Sequence, residues 1–266
     1  MSLFIATIFF IVFIYGLIIG SFLNVCIYRI PNEMSIIKPP SHCTSCGKRL
    51  KPLDLIPLIS WLFLRGKCRY CGSRISARYP LIELLTALSF LPLLAVYGMS
   101  VNFILYALLT AVFIAIFFID WEYMIIPNGL VITAIIITIV HYGFNLFIKE
   151  NIELMDVLSP LIAMVSGSGG LLLIAFITSK IYKTEDTIGM GDVKLLIPIG
   201  LLFGVGNLIL NMLLACVSAS IVGIIQIKTG KKTRKDLIPF GPFIVCSAYF
   251  TLLFGENIIN WYIGLL

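Results

Sequence analysis

Charged residues are scarce in this chain of 266 residues, where only 12% are Asp, Glu, Lys or Arg and 60% are hydrophobic. The mean hydropathy of +1.06 excludes an ordinary soluble domain and indicates a helical protein that crosses a membrane several times. The chain also lacks a Gly-x-Gly-x-x-Gly sequence placed after a strand, so no dinucleotide site can be read from its motifs. Its chemistry must therefore be sought in the few polar residues that the apolar segments retain.

Eight apolar runs predict an all-α polytopic membrane protein with about eight transmembrane helices, since most of them are near the ~20 residues that a spanning helix needs. The first run has no basic stretch before it and no small-residue cleavage site, so we expect a retained span and not a signal peptide. The sixth run is short and contains Pro198, Gly200 and Gly204, which leaves its boundary with the seventh poorly defined. The predicted spans are 3–27, 81–98, 102–119, 128–148, 157–181, 193–205, 207–227 and 238–264.

Positive charge is distributed asymmetrically among the predicted loops. If the N-terminus lies outside, Lys149 is the one residue of the 19 Lys and Arg that lies outside with it, as the positive-inside rule favours. The net charge of +6 then reflects topology and contact with anionic lipid, and does not indicate nucleic-acid binding. We expect a multi-pass protein of the cytoplasmic (inner) membrane whose cytoplasmic loops are 28–80, 120–127, 182–192 and 228–237.

Four of the seven cysteines form two Cys-x-x-Cys pairs in the polar stretch between the first and second spans. Twenty-one residues separate Cys43 and Cys46 from Cys68 and Cys71, a spacing close to that of a four-thiolate zinc ribbon. A glycine follows each pair, where a tight turn benefits from a residue that tolerates positive φ. We expect a small cytoplasmic zinc-ribbon-like loop domain whose closed site holds structural Zn²⁺ and leaves no coordination position for catalysis.

Two disulfides are the competing interpretation of these pairs, and the cytoplasmic side disfavours them because thiols there are kept reduced. His42 adjoins the first pair and is an alternative metal ligand, although four thiolates already complete a tetrahedral site. The other three cysteines, Cys26, Cys216 and Cys246, lie in apolar runs and are interpreted as small buried hydrophobic residues.

Two aspartates, Asp120 and Asp192, each lie at an end of a long apolar run. An ionised Asp at the centre of a membrane helix costs about 2.5–3.5 kcal/mol on insertion scales, so a retained carboxylate is a functional candidate. Pro127 interrupts the helix after Asp120 and a Gly-x-Gly turn precedes Asp192, so both acids are presented near the predicted cytoplasmic face. Two carboxylates in one cleft of low dielectric cannot both ionise readily, and such a pair can activate a water and protonate a leaving group.

Other interpretations of the two aspartates remain open on these grounds. Each is also consistent with an ordinary helix-start residue, stabilised by the positive end of the helix dipole. A transporter or channel component would use the same acids as a cation or proton relay, although the sequence shows no matching Gly/Pro-interrupted halves. A non-catalytic assembly scaffold is a third interpretation. Glu83 is interpreted as a plain helix N-terminal preference, and Lys194 as a partner of the nearby acid or a mark of the inner face.

Several short motifs follow one another along nearly the whole chain, together with the two cysteine pairs. They are GSFLNVCIYRIP at 20–31, IPLISW at 56–61, RGKC at 65–68, ISARYPLIE at 75–83, Asp120 with Pro127-Asn128, GMGDVKL at 189–195 and IPFGP at 238–242. This ordered set closely resembles the bifunctional type IV prepilin peptidases, which are leader peptidases and N-methyltransferases. Trp121 and Asn128 depart from residues that the family often has at these positions, and neither departure removes a catalytic carboxylate.

The resemblance implies a membrane aspartic protease of the Gly-x-Gly-Asp type with Asp120 and Asp192 as its catalytic pair. Its substrates would be prepilins and pseudopilins of type IV pili or type II secretion, cut on the cytoplasmic side after the last Gly of a short charged leader. The resemblance also implies N-methylation of the new N-terminal amine with S-adenosylmethionine, an activity to which Gly66 and Lys67 correspond by position.

The expected domain organisation has three parts. A first transmembrane helix occupies 1–27, a methyltransferase-associated four-cysteine loop domain occupies 28–80, and a transmembrane aspartic peptidase domain occupies 81–266. The expected partners are prepilin or pseudopilin substrates and the lipid bilayer, with no nucleic acid. The sequence leaves the oligomeric state open.

Overall fold

The computed structural model describes residues 2–182, 189–233 and 236–265, and within these residues seven helices are long and apolar enough to cross a membrane. A short 3-10 turn (Pro52–Leu55) and the five-residue helix α2 (Ile59–Phe63) follow the first of them. The long helices are α1 (Ser2–Arg29), α3 (Arg78–Tyr97), α4 (Val101–Tyr123), α5 (Asn128–Ile148), α6 (Leu154–Tyr182), α7 (Met190–Lys228) and α8 (Gly241–Ile263). The helical architecture and the cysteine-bearing loop between the first two spans confirm the predicted fold class. Most of the predicted loop 182–192 lies outside the described residues.

By internal contacts the chain divides into two compact units, Met1–Ala115 and Ile116–Leu266. In the first unit α1 packs against α3. A methyl group placed on Gly16 would lie 2.5 Å from the Cα atom of Ala87, and one on Gly20 would lie 2.6 Å from the Cα atom of Glu83. Since side chains do not approach a backbone this closely, the two glycines determine how tightly α1 packs on α3.

In the second unit α7 is the central element and packs against α5, α6 and α8. Gly200 of α7 faces the backbone of α6, where a methyl group would lie 2.6 Å from the nitrogen of Met164. The Ser159 hydroxyl of α6 accepts a hydrogen bond of 3.1 Å from the N–H of Val205. This bond satisfies a backbone donor where α7 departs from helical geometry.

The departure lies at Gly204, whose dihedral angles (φ 67°, ψ −176°) interrupt the 39 residues of α7. The positive φ is one that residues with a Cβ atom rarely adopt, so glycine is needed at this position. Gly206, immediately after the interruption, lies near Ile259 at the far end of α8, where a methyl group would be 3.4 Å from Cδ1.

Both ends of α7 lie near the start of α8. At its beginning, Gly191 packs on Ile126, and Ile126 also packs on Gly241, the first residue of α8. Near its end, a methyl group on Gly223 would lie 3.3 Å from Cδ1 of Ile238, shortly before α8 begins. A helix whose two ends meet the same end of its neighbour must reverse direction between them. α7 is therefore a pair of antiparallel limbs, 190–203 and 205–228, that meet at Gly204.

These two limbs correspond to the predicted sixth and seventh spans, so the eight predicted segments are recovered within seven helices. The first limb is about 21 Å long at 1.5 Å per residue, shorter than the ~30 Å hydrocarbon core of a bilayer. Its short length and its glycine content are the features that left the boundary undefined in the sequence.

Candidate functional site

Asp120 lies in the last turn of α4, which ends at Tyr123 and is followed by Met124 with a positive φ of 54°. The residue is only 5% exposed. Its carboxylate accepts a hydrogen bond from the backbone N–H of Gly241. Because Gly241 opens α8, the positive end of that helix dipole faces the buried acid.

Asp192 lies in the first turn of α7, for which Gly189 is the N-terminal cap. Its backbone N–H donates to the carbonyl of Gly189 at 3.0 Å, which closes the Gly-Met-Gly-Asp turn. The residue is half-buried, and its carboxylate lies within range of electrostatic interaction with that of Asp120. The structure therefore brings together two acids that lie on different helices and far apart in the sequence.

Ile126 connects the segments that carry the two acids. A methyl group on Gly191 would lie 3.0 Å from Cβ of Ile126. One on Gly241 would lie 3.0 Å from Cδ1 of Ile126 and 2.6 Å from Oδ2 of Asp120. Three segments thus converge because two of them have no side chain at the contact. Sequence reasoning missed the roles of Ile126 and Gly241, although the Ile-Pro-Phe-Gly-Pro motif contains that glycine.

Lys194 has a polar partner on α5. Its Nζ atom donates a hydrogen bond of 3.0 Å to Oδ1 of Asn128, the first residue of that helix. The contact joins the start of α7 to the start of α5, beside the segment that follows Asp120. The sequence left two interpretations of Lys194, a partner of the nearby acid or a mark of the inner face. In the structure its hydrogen-bond partner is the neutral side-chain amide of Asn128.

The chemistry available to the aspartate pair is acid–base chemistry at the end of two apolar helices. A protonated and an ionised carboxyl group side by side can supply and accept a proton in one reaction. Asp192 is the more exposed of the two residues.

The four predicted metal ligands also come together. The sulfur atoms of Cys43, Cys46, Cys68 and Cys71 lie within 4.8 Å of one another, and all seven cysteines of the chain are free thiols. The sulfurs of Cys43 and Cys71 are 3.8 Å apart, which matches the ~3.8 Å expected between two thiolates bound tetrahedrally at 2.3 Å from one zinc ion. His42 is not part of the cluster, since its Nδ1 atom hydrogen-bonds the carbonyl of Pro40 at 3.0 Å. The cluster can bind a metal ion.

Each cysteine pair lies on a turn of the same construction. In the first, the N–H of Cys43 donates to the carbonyl of Lys48 at 3.0 Å and the N–H of Gly47 donates to the carbonyl of Cys43 at 2.8 Å. The second pair repeats both bonds 25 positions later, at 2.8 and 3.0 Å. Gly47 and Gly72 have φ values of 68° and 71°, as the sequence predicts for the residue after each pair. The two turns are the halves of a ribbon that can bind a metal ion.

Hydrogen bonds around the sulfurs of Cys43 and Cys71 favour the thiolate form at these two positions. Ser73 lies 3.1 Å from the sulfur of Cys71 and 3.7 Å from that of Cys43. The Ser73 hydroxyl and backbone N–H lower the pKa of the Cys71 thiol. The backbone N–H groups of Cys46 and Ser45 lower the pKa of Cys43 to about 6. Since the thiolate is the metal-binding form, these donors prepare the cluster for a cation.

Asp54 links the 3-10 turn to the second cysteine turn through hydrogen bonds. Its carboxylate accepts hydrogen bonds from Nε of Arg69 at 2.6 Å, from the hydroxyl of Tyr70 at 3.1 Å and from the N–H of Lys51 at 3.1 Å. Burial alone would raise the pKa of Asp54, but these three donors outweigh it and hold the pKa below its ordinary value. The contact stabilises the loop in its folded form.

Gly66 and Lys67, the positions implied by resemblance for the methyl donor, occupy different environments. Gly66 is buried with a φ of 66°, and a methyl group on it would lie 3.0 Å from Cζ2 of Trp61. The indole Nε1 of Trp61 donates to the carbonyl of Ile75 at 3.2 Å. Lys67 is exposed and pairs with Arg74 through an isolated β-bridge. Gly66 thus acts on the position of the Trp61 ring.

A cavity of about 620 Å³ lies within the first unit. Its walls are one face of α1, the cysteine-bearing loop and the first turns of α3, and neither Gly66 nor Lys67 lines it. Ser21, Arg29, Trp61 and Glu83 contribute polar or aromatic groups to the walls. The cysteine cluster borders the same space through Cys43 and Cys68.

The sequence interpretation of Glu83 as a helix N-terminal preference is wrong. α3 begins at Arg78 and has no acidic residue in its first turn, so Glu83 lies further along the helix. It is 7% exposed, and its Oε2 atom accepts a hydrogen bond of 2.6 Å from the N–H of Leu58. A carboxylate buried in a cavity wall is a functional candidate that periodicity alone did not distinguish.

Two protein-family models match this chain, one in its N-terminal part and one in the part that follows. Residues 14–97 match the family model of the bacterial peptidase A24 N-terminal domain, and residues 107–224 match that of the type IV leader peptidase family. The chain belongs to the type IV leader peptidase family. The first match contains the cysteine cluster and Glu83, and the second contains Asp120 and Asp192.

Curated members of the family resemble this chain over almost their whole length. A protein of Bacillus subtilis (strain 168), named prepilin leader peptidase/N-methyltransferase, is 33% identical over 95% of this chain and 97% of its own. Proteins of the same name from Dichelobacter nodosus and Aeromonas hydrophila are 34% and 32% identical, over 94% and 95% of this chain and 92% of each relative. No solved structure matches the chain.

Proposed function

We propose that this protein removes the leader peptide of type IV prepilins or pseudopilins with Asp120 and Asp192, and then methylates the new N-terminal amine. The observation that carries the proposal is the convergence of these two acids at the ends of apolar helices. The name shared by relatives that span nearly the whole chain supports the same pair of activities.

In the proposed cleavage the two aspartates share one proton. The ionised carboxylate takes a proton from a water molecule, whose oxygen attacks the carbonyl carbon of the peptide bond that follows the leader. The protonated carboxyl group gives its proton to the leaving nitrogen, and the pair returns to its singly protonated state. The N–H of Gly241 holds the Asp120 carboxylate in place during both transfers.

We infer an orientation with the N-terminus outside and both aspartates at the cytoplasmic face of the inner membrane. The excess of Lys and Arg in loops 28–80 and 228–237 supports this topology. It requires α7 to cross the membrane twice, which agrees with the position of both its ends beside the start of α8. A single crossing would place the basic loop after α7 on the opposite face from Asp192.

We propose that the cysteine cluster holds a structural Zn²⁺ ion. Four thiolates close the coordination sphere, so the metal stabilises the loop and takes no part in hydrolysis. In this assignment residues 28–80 form the methyltransferase-associated domain and 81–266 the peptidase domain, with S-adenosylmethionine as the methyl donor. Gly66 and Lys67 are the positions that the resemblance implies for the donor. Neither lines the cavity of the first unit, and Gly66 contributes through its contact with Trp61, which does line it.

The experiment that tests the proposal compares variants in cells that express one candidate prepilin. The variants are Asp120→Asn and Asp192→Asn, and the matched control is Asp236→Asn, an exposed aspartate outside the helices. Intact-mass and N-terminal analysis of the pilin measures cleavage and methylation in one sample. We expect a leaderless, methylated pilin with the wild type and the control, and uncut precursor with each of the other two.

Three outcomes would contradict parts of this proposal. Cleavage that persists in both variants would exclude the aspartate pair and favour a scaffold. Loss of proton or ion flux in Asp120→Asn with normal pilin maturation would indicate a relay. Cleavage without methylation in the wild type would retain the peptidase and remove the transferase.

A further inference from the structure

The cavity of the first unit contains two buried charges of opposite sign that peptide cleavage does not use. Its volume of about 620 Å³ lies in the range of ~300–1,000 Å³ that is typical of small-molecule sites. Glu83 and Arg29 line it and are only 7% and 6% exposed. Charges buried to this extent are destabilising unless they bind a partner, which points to a ligand with charges of its own.

Glu83 is held rigidly with its carboxylate in the wall. The N–H of Leu58 donates to its Oε2 atom at 2.6 Å, and the Ser21 side chain lines the same wall. Leu58 adopts a positive φ of 60°, rare for a leucine, to present that N–H. A carboxylate has about four acceptor positions, so positions remain for a ligand cation. The absence of a side chain at Gly20 lets this part of α3 approach α1.

Among the described residues, no acid forms an ion pair with Arg29, which lies at the end of α1. Its two terminal nitrogens donate to the carbonyls of Ser35 at 2.9 Å and Pro39 at 2.6 Å. None of the ion pairs between described residues involves it. A guanidinium has five N–H donors in a fork that fits a carboxylate, so Arg29 retains the capacity to bind one.

The two charged residues line the cavity at different levels along α1, which suits an elongated ligand. Glu83 packs at the level of Gly20, and Arg29 lies nine residues further along the same helix, about 13 Å at 1.5 Å per residue. The rings of Trp61 and Tyr79 line the cavity as well, and aromatic faces of this kind stack on nucleobases.

Building on the proposed methyltransferase activity, we propose that this cavity is the site of methyl transfer. In this site Arg29 binds the carboxylate of an adenosyl sulfonium donor, and Glu83 receives the new N-terminal amine of the cleaved pilin. The ammonium group first gives one proton to Glu83. The freed nitrogen lone pair then forms the N–C bond to the methyl carbon as the C–S bond breaks, and the sulfur keeps that electron pair and leaves as a neutral thioether.

Two variants of the purified full-length protein in detergent test the two charges separately. S-adenosylhomocysteine binding is measured by calorimetry, and methylation of a pre-cleaved pilin peptide is measured with labelled S-adenosylmethionine. We expect Arg29→Gln to weaken S-adenosylhomocysteine binding about 30-fold or more, since it removes the partner of a buried carboxylate. We expect Glu83→Gln to bind S-adenosylhomocysteine within about twofold of wild type and to methylate about 100-fold more slowly.

The matched controls make the same kinds of change at exposed positions of the cysteine-bearing loop, namely Glu33→Gln and Arg49→Gln. Both are expected to bind and methylate as the wild type does, and leader cleavage in each sample reports whether the protein is folded. If Glu83→Gln methylates at the wild-type rate, or Arg29→Gln binds S-adenosylhomocysteine normally, the inference is overturned. If the wild type cleaves but never methylates, the proposed transferase activity itself fails, and the assignment of the cavity fails with it.

A measurement on the wild type avoids any folding defect of the variants. Ultraviolet cross-linking of labelled S-adenosylmethionine, followed by peptide mapping, is expected to label the segment 21–83, where Trp61 and Tyr79 supply reactive rings. Labelling confined to residues 116–266 would overturn the proposal.

Discussion

Gly241→Ala should disable the proposed peptidase without replacing either aspartate. The added methyl group would lie 2.6 Å from Oδ2 of Asp120 and 3.0 Å from Cδ1 of Ile126. Non-bonded heavy atoms pack at about 3.5 Å, so the carboxylate must retreat by roughly 0.9 Å. A misplacement of about 1 Å can lower the rate of an oriented reaction about 100-fold. We therefore expect kcat/KM for leader cleavage to fall about 100-fold.

The assay uses purified enzyme and a synthetic prepilin peptide, with Gly129→Ala as the matched control. Gly129 lies in the first turn of α5, and a methyl group there meets nothing within 4 Å. The control is expected to cleave at the wild-type rate and to gain about 0.5–1 kcal/mol of helix stability. Methylation of a pre-cleaved peptide by Gly241→Ala is expected to continue, which separates displacement of Asp120 from general unfolding.

Wild-type cleavage by Gly241→Ala, with an unchanged melting temperature, would refute this reasoning. It would mean that the close approach of Gly241 to Asp120 is absent when the enzyme acts. A change in kcat/KM for leader cleavage no larger than that of Gly129→Ala would lead to the same conclusion.

Three further predictions concern the cysteine-bearing loop. Cys46→Ser should lower bound zinc, measured by elemental analysis, and abolish methylation while cleavage persists, whereas Cys216→Ser should change neither. Asp54→Asn should destabilise the loop by about 1–2 kcal/mol at neutral pH in thermal unfolding, allowing for a half-exposed partner. The pKa of Asp54 is lowered in the folded loop, so its stabilisation is present above pH ~3.9 and is lost as the pH falls through that lower pKa. The stability of the Asp54→Asn variant should therefore depend less on pH in acid than that of the wild type. Gly66→Ala should lose methylation because the added methyl group would displace the Trp61 ring. Gly98→Ala is its control for backbone strain alone, since Gly98 has a similar φ of 60° and no atom within 4 Å of an added methyl group.

The cysteine cluster could be predicted from local sequence patterns alone. A two-residue gap and a following glycine define each turn within six residues, and the structure builds both turns with the same backbone hydrogen bonds. The ligand set was therefore predictable from spacing. Asp54 was not, because its three donors come from segments on both sides of the helix α2.

The membrane spans were predictable for a similar reason, since hydrophobicity is a property of each segment by itself. The reversal inside α7 was only partly visible, as a short run rich in glycine and proline. A positive φ at Gly204 merges two predicted spans into one interrupted helix, and the contacts of Gly206 and Gly223 with α8 show that its limbs are antiparallel. Contacts of that kind join residues that are remote in sequence.

The sequence by itself determined the apolar segments, the charge asymmetry, the four clustered cysteines and the two candidate acids, because each depends on residue type and on spacing over short distances. Only the tertiary structure decided that Asp120 and Asp192 lie close enough to interact, since the segments that carry them meet where Ile126 packs against two residues without side chains. It likewise moved Glu83 from an ordinary helix start to the wall of a cavity that Arg29 also lines. These relations arise when helices pack, and packing depends on contacts that no single segment contains.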